Sequence, residues 1–237
     1  MKIVTVVRCF NEIKNIQRFI NGYFFSDKII ISDGGSTDGS YEELLKWQER
    51  MPGLIKIIRF DQQKNINGEL WNDDNPHMQY VFDAGKAENP DWLIYDDMDD
   101  IPNYHLRHNA RKLLEESPLN QVNAFRLYMW GDKQYFPQMN DHFNTNFTSL
   151  WAWKPEFVNI HADQSQHHGT ILGVTDHYDV PLPNCLLHKS WHPDTIQAKI
   201  DRYTKVGISM SHPFGFAGNP TDLPEWAAEH APGEYLE

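Results

Sequence analysis

Along the first half of the chain, short β-branched runs alternate with stretches of helical periodicity. That pattern requires crossover connections and a largely parallel sheet. Lys2 to Val7 reads as the first strand. Asn11 is placed to cap a helix whose apolar positions Ile13, Ile16, Phe19 and Ile20 follow helical spacing, with Gly22 as its stop. Lys28 to Ser32 is a short apolar strand of the kind buried on both faces. After a tight loop, Ser40 and Glu43 have the spacing of a capping box ahead of Leu44, Leu45 and Trp47. Leu54 to Phe60 is a third strand, and Asn75-Pro76 opens a helix carrying Met78, Val81, Phe82 and Gly85. Asp91 to Tyr95 is a fourth strand, and Asn103 begins a helix with Leu106, Ala110, Leu113 and Leu114.

From Gln121 the pattern changes. Val122 to Met129 and Phe147 to Trp153 read as strands, but the intervening segments are long, polar and rich in aromatic residues and His. Loops of that length in a compact protein are more often functional than ornamental. Asp194 is placed to cap a last helix with Ile196, Ile200, Tyr203 and Val206, and the stretch from Ser211, with four prolines, reads as irregular. No linker divides the chain, so the expectation is one α/β domain over residues 1–237.

Composition narrows the function. Hydrophobic residues make up 40% of 237, enough to bury a substantial core, so wholesale disorder is excluded. The formal net charge of −12 repels phosphates and anionic headgroups, and no block of Lys and Arg offsets it, so nucleic acid is a poor candidate partner. An anionic protein that handles a phosphate-bearing substrate needs a compensating charge, which a divalent cation supplies. The two cysteines, Cys9 and Cys185, have no metal-ligand or disulfide-framework spacing. Arg8 interrupts the apolar run Ile3 to Val7 too early for a secretory signal, and no stretch approaches the roughly 20 residues of a membrane span. A cytoplasmic protein is the expectation, in which the sequon Asn146-Phe147-Thr148 carries no meaning.

The strongest chemical feature is Asp96-Asp97-Met98-Asp99-Asp100, directly after the strand Trp92 to Tyr95. Four carboxylates in five residues repel one another unless water, amide donors or a cation relieves them. Mg²⁺ or Mn²⁺ does so through oxygen ligands while leaving coordination positions for substrate phosphates. Asp97 and Asp99 occupy alternate positions, which in extended chain direct both side chains to one side. The ordinary alternative is a solvated loop, but ligands of open α/β sheets bind where this cluster lies, at the carboxyl ends of strands. A helical D-D-x-x-D reading fails because a strand precedes the cluster and Pro102 follows it. An EF-hand reading fails for want of the alternation, central glycine and terminal Glu. The second feature, Ser32-Asp33-Gly34-Gly35-Ser36-Thr37-Asp38-Gly39-Ser40, is also a strand-to-helix loop, whose glycines permit close backbone approach to a ligand.

Together with Val6-Val7-Arg8-Cys9-Phe10-Asn11-Glu12, these two segments resemble, in order and spacing, the successive signatures of family 2 glycosyltransferases of the GT-A fold over roughly the first hundred residues. The resemblance implies a mixed, mostly parallel sheet flanked by helices. Residues 1–100 would form the nucleotide-sugar-binding half, 101–210 the acceptor and metal-completing half, and 211–237 an irregular tail. It implies a nucleoside diphosphate sugar donor, a UDP-sugar foremost, a hydroxyl acceptor, and Mn²⁺ or Mg²⁺ as cofactor. Asp33 would hydrogen-bond the base, while Asn11, Glu12 and Asp38 would shape the nucleotide pocket. Asp97 and Asp99 fall on the DxD positions, Asp97 near ribose or metal and Asp99 as a metal ligand. A downstream His completes the metal site in similar enzymes, and His188 in Leu186-Leu187-His188 is the candidate, with His192 its nearest competitor. Lys199 and Arg202 on the following helix would add positive charge at the diphosphate. The chain departs from the family pattern in lacking a Glu-Asp pair between Gln121 and Cys185 to serve as base. Asp141 is the best remaining candidate, ahead of Asp163, His142 and His161, and Trp130, Tyr135, Phe136, Trp151 and Trp153 offer flat surfaces for a sugar. The rival to an enzyme is a catalytically silent nucleotide-sugar-binding protein of the same fold.

Overall fold

A computed structural model describes residues 1–61, 74–136, 148–157, 159–161, 170–172, 176–191, 193, 196–205 and 219–229. They gather into two compact units of interleaved segments. The first comprises Met1–Met98, Ala110–Asn123 and Leu150–Tyr178, and the second Asp99–Asn109, Ala124–Ser149 and Asp179–Glu237.

In the first unit, β1 (Ile3–Cys9) pairs in parallel with β2 (Lys28–Asp33) and with β4 (Trp92–Tyr95), and β2 pairs in parallel with β3 (Ile55–Arg59). Later in the chain, Leu93 and Ile94 pair antiparallel with Trp153 and Ala152 of β8 (Thr148–Trp153). The helices α1 (Ile16–Gly22), α2 (Ser40–Arg50) and α3 (Asp74–Lys86) connect the parallel strands, as the alternation in sequence predicts. Residues of β1 and β2 are almost wholly buried, which explains why their sequences run apolar instead of alternating. Val4, Val6, Ile30, Leu93 and Trp153 pack with Val81 and Phe82 of α3 in one cluster. Gly85 is what lets α3 settle so close: a Cβ there would lie 2.6 Å from Val6 Cγ1 and 2.7 Å from Leu93 Cδ1.

In the second unit, β12 (Cys185–Trp191) pairs antiparallel with β5 (Asp100–Pro102) and in parallel with β6 (Gln121–Trp130). β6 turns back through β7 (Gln134–Tyr135), which pairs antiparallel with β13 (Thr221–Asp222). The helix α4 (Tyr104–Glu115) is capped as expected, Asn103 Oδ1 accepting the Leu106 N–H at 2.9 Å. A last helix, α5, spans Ile196–Lys205.

Three local expectations change. The first helix begins at Ile16 with Asn15 at the cap position, four residues later than expected; Asn11 takes a left-handed conformation (φ 58°) and spends its side chain on the Thr37 N–H. Ser40 is not a capping residue: Gly39, at φ 94°, stands at that position and Ser40 is already helical. Trp151, Phe136 and Trp153 are core residues, which removes them as sugar-stacking surfaces. Both cysteines are buried and free, and burial pushes both thiols well above their usual range.

Candidate active site

In the first unit the loops after β1 and β2 are stitched together by their own polar groups. Asn11 N–H donates to Ser36 Oγ at 2.9 Å, and Asn11 Oδ1 accepts the Thr37 N–H at 2.8 Å. Glu12 N–H donates to Ser40 Oγ at 2.9 Å, and Glu12 Oε2 accepts from Asn15 Nδ2 at 2.8 Å. Asp38 accepts the N–H groups of Ser40 at 3.0 Å and Ile13 at 3.2 Å, as well as the Ser40 hydroxyl. Partial burial opposes its ionisation, yet these donors hold the Asp38 carboxyl below its usual range. Asp33 is fully buried, its carboxylate accepting the N–H groups of Gly35 at 2.9 Å and Ser36 at 3.2 Å. The four residues expected at the base and in the pocket around it, Asn11, Glu12, Asp33 and Asp38, thus meet in one pair of loops, and Asp33 works there as the loop's internal scaffold.

Three residues to which the sequence assigns no role join this unit's polar interior. Arg8 reaches from β1 to the Tyr95 hydroxyl at 2.9 Å and brings Nη2 within 3.7 Å of Asp97 Oδ1. Tyr23 donates its hydroxyl to Asp96. His77, at the start of α3, pairs Nε2 with Ser32 Oγ at 2.8 Å and stacks flat on Phe60 at 4.5 Å. Burial first, and then the Arg8 charge, push the His77 imidazole down to about 3. Such a histidine is neutral throughout the physiological range.

The acidic motif divides. The chain turns at Met98–Asp99 between β4 and β5, so alternation along an extended strand does not govern Asp97 and Asp99. Asp97, its side chain 46% exposed, belongs to the first unit and pairs with Arg8. In the second unit Asp99, Asp100 and His188 each offer one ligand atom, all within 4.8 Å of one another. The register makes this group: β5 and β12 place Asp100 directly opposite His188, and His188 Nδ1 lies 2.8 Å from Asp100 Oδ1 and 3.9 Å from Asp99 Oδ1. Asp100 is fully buried, and its other oxygen lies 2.7 Å from Arg126 Nη2. The Tyr128 ring meets the His188 ring edge-on at 5.1 Å. Burial works against protonation of His188, but the Asp100 and Asp99 charges outweigh it and raise the imidazole. Two carboxylates and an imidazole are a donor set suited to Mn²⁺ or another divalent cation, and a proton donated from Nδ1 to Asp100 leaves Nε2 as the ring's lone-pair nitrogen.

Of the other expected residues, Lys199 and Arg202 lie on α5 with side chains outside the described residues. Asp141, His142, Asp163 and His192 lie outside them altogether. Asp100, Arg126 and Tyr128 were missed as partners of His188. Only the acidic run itself hinted at Asp100, and nothing in sequence pointed to the two β6 residues.

Residues 5–70 match the sequence model of glycosyl transferase family 2. No curated protein matches the chain. Among solved structures, S. aureus TarS residues 1–349 superpose with a TM-score of 0.55 at 13% identity, covering 80% of this chain and 61% of that one. The longer S. aureus TarS structure gives a TM-score of 0.53 at 10% identity, covering 80% and 37%. The glucosyl-3-phosphoglycerate synthase from Mycobacterium tuberculosis, in complex with phosphoglyceric acid, gives 0.49 at 15% identity, covering 94% and 86%. The chain therefore spans about three fifths of the TarS 1–349 structure it matches. No helix among the described residues is long and apolar enough to cross a membrane. Residues 5–70 thus match the family 2 glycosyl transferase model, and the parallel strands connected by helices share the fold of the TarS structures.

Proposed function

We propose that this chain moves a sugar from a nucleoside diphosphate sugar, a UDP-sugar foremost, to an acceptor hydroxyl with the help of Mn²⁺ or Mg²⁺. The observation that carries this reading is the convergence of Asp99, Asp100 and His188, downstream of the family 2 segment. Asp99 and His188 would hold the cation, which when bound neutralises charge growing on the diphosphate as the anomeric bond breaks. Asp100 fixes the imidazole: accepting from Nδ1 and anchored by Arg126, it sets the ring's orientation and tautomer. The paired loops of the first unit supply the nucleotide's seat, Asn11, Glu12 and Asp38 by bonds between the loops and Asp33 from beneath. Asp97 is reserved for the ribose side, with Arg8 as its present partner. Lys199 and Arg202 add positive charge, and Asp141 takes the acceptor's proton.

The test is a thermal-shift screen of uridine, guanosine, cytidine and thymidine diphosphate sugars with and without Mn²⁺. A ligand that binds only the folded state raises the melting temperature with the logarithm of its excess over Kd. The expected result is stabilisation by one nucleotide series, in Mn²⁺ only. A flat response across all four would overturn the assignment, and binding without slow donor hydrolysis would favour the silent binder.

A further inference from the structure

Residues 219–229 form a strap across the second unit. Thr221 and Asp222 pair with Tyr135 and Gln134, and Leu223 N–H donates to Lys133 O at 2.8 Å. Ala227 is fully buried in the cluster of Leu127, Met129, Cys185 and Leu187. Ala228 O accepts the Tyr104 N–H at 3.1 Å. At the end of the strap Glu229, its side chain 13% exposed, lies 2.7 Å from Lys189 Nζ.

Lys189 follows His188, and its side chain is only 5% exposed. An ammonium that deep depends on its counter-ions, which are Glu229 and, at 3.1 Å, the half-exposed Asp132. The Lys189 N–H donates to Asp99 O at 2.7 Å, so one residue joins the strap by its side chain and the acidic turn by its backbone. The register of β12 against β6 also shifts between His188 and Trp191, an irregularity of the type that re-aims side chains next to functional sites.

We infer that Glu229 is a positioning residue for the Asp99–His188 cation site. Acting through Lys189, it holds the irregular stretch of β12 so that His188 and the Asp99 turn keep their spacing. The inference rests on the cation reading proposed above.

Mn²⁺ titration of the full chain, followed by calorimetry and by electron paramagnetic resonance, tests it. Residues that hydrogen-bond metal ligands typically contribute 10–100-fold in affinity. Glu229→Gln, one residue further out, should weaken Mn²⁺ binding about fivefold to tenfold. Glu229→Asp should recover part of that loss. Val81→Ala, in the core of the first unit, serves as the stability control: it should lower the melting temperature and leave Mn²⁺ affinity unchanged. Should Glu229→Gln not fold, Asp132→Asn removes the more exposed counter-ion of the same ammonium and should weaken Mn²⁺ binding by a smaller factor. Wild type that binds Mn²⁺ together with a foldable counter-ion variant that binds it within a factor of two would overturn the strap's role alone. Wild type that binds no Mn²⁺ would overturn the cation reading and this inference with it.

Discussion

Two histidines, one in each unit, are held in opposite ways. His77 is surrounded by a serine hydroxyl, an aromatic face and the Arg8 charge, and its imidazole is pushed down to about 3. His188 faces two aspartates, and its imidazole is raised. The first region spends its polar groups on itself: amides, hydroxyls and carboxylates of its two loops satisfy one another before any ligand arrives. The second stores negative charge against one ring and one guanidinium. A seat stitched by its own amide and hydroxyl donors is prepared in advance for its ligand, whereas an excess of carboxylate is stabilised by the cation it awaits.

The largest expected effect is at the charged site. Asp99→Ala should lower metal-dependent transfer by on the order of 10³-fold, with the thermal melt nearly unchanged. Full activity in a radiolabelled-donor assay would remove Asp99 from the mechanism. Next, Arg126→Met leaves the buried Asp100 with His188 but without its guanidinium, and should cost about 3–5 kcal/mol in urea unfolding without metal. A cost below about 1 kcal/mol would show that this region does not depend on that pairing.

The histidines sharpen the contrast through pH. His77 has a folded value below its unfolded 6.5, so the unfolded chain binds the extra proton. Its contribution is fully present above about pH 6.5 and is lost as pH falls toward 3, which should remove about 2–3 kcal/mol between pH 6.5 and 4.5. The difference between wild type and His77→Gln in urea stability should shrink by that amount over the same range. His188 has the opposite sign: without metal, its contribution is complete below its unfolded value and declines as pH rises through the raised one. Because a cation requires the neutral ring, Mn²⁺ affinity should climb with pH over that same interval. The smallest effect belongs to the stitched loops. Asn11→Gly keeps the left-handed backbone but loses the bond to Thr37, so stability should fall by about 1 kcal/mol while donor KM rises more than kcat falls.

The parallel strands of the first unit could be read directly from sequence, because a strand buried on both faces runs mostly apolar, as the central stretches of β1 and β2 and the whole of β4 do. Helix starts were less accessible. Asn11 adopts positive φ and bonds Thr37 across the two loops, while Ser40 gives its hydroxyl oxygen to the Glu12 N–H, so both residues are spent on long-range bonds instead of on capping. The acidic run and His188 were visible as chemistry, but Asp100 was not separable from its neighbours. What distinguishes it is a cross-strand pairing with a residue 88 positions away, supported by Arg126 from a third strand. Such register is set by folding as a whole and leaves no periodic trace.

The two cysteines have a practical consequence. Cys9 and Cys185 are the only thiols in the chain, and both are sealed from solvent; burial keeps both from ionising, helped at Cys9 by the neighbouring carboxylates. In the native state the wild-type protein is therefore a blank background for maleimide chemistry. A single cysteine introduced on the strap would carry a spin label or fluorophore without competing sites, turning the tail's response to metal and nucleotide into a direct spectroscopic signal.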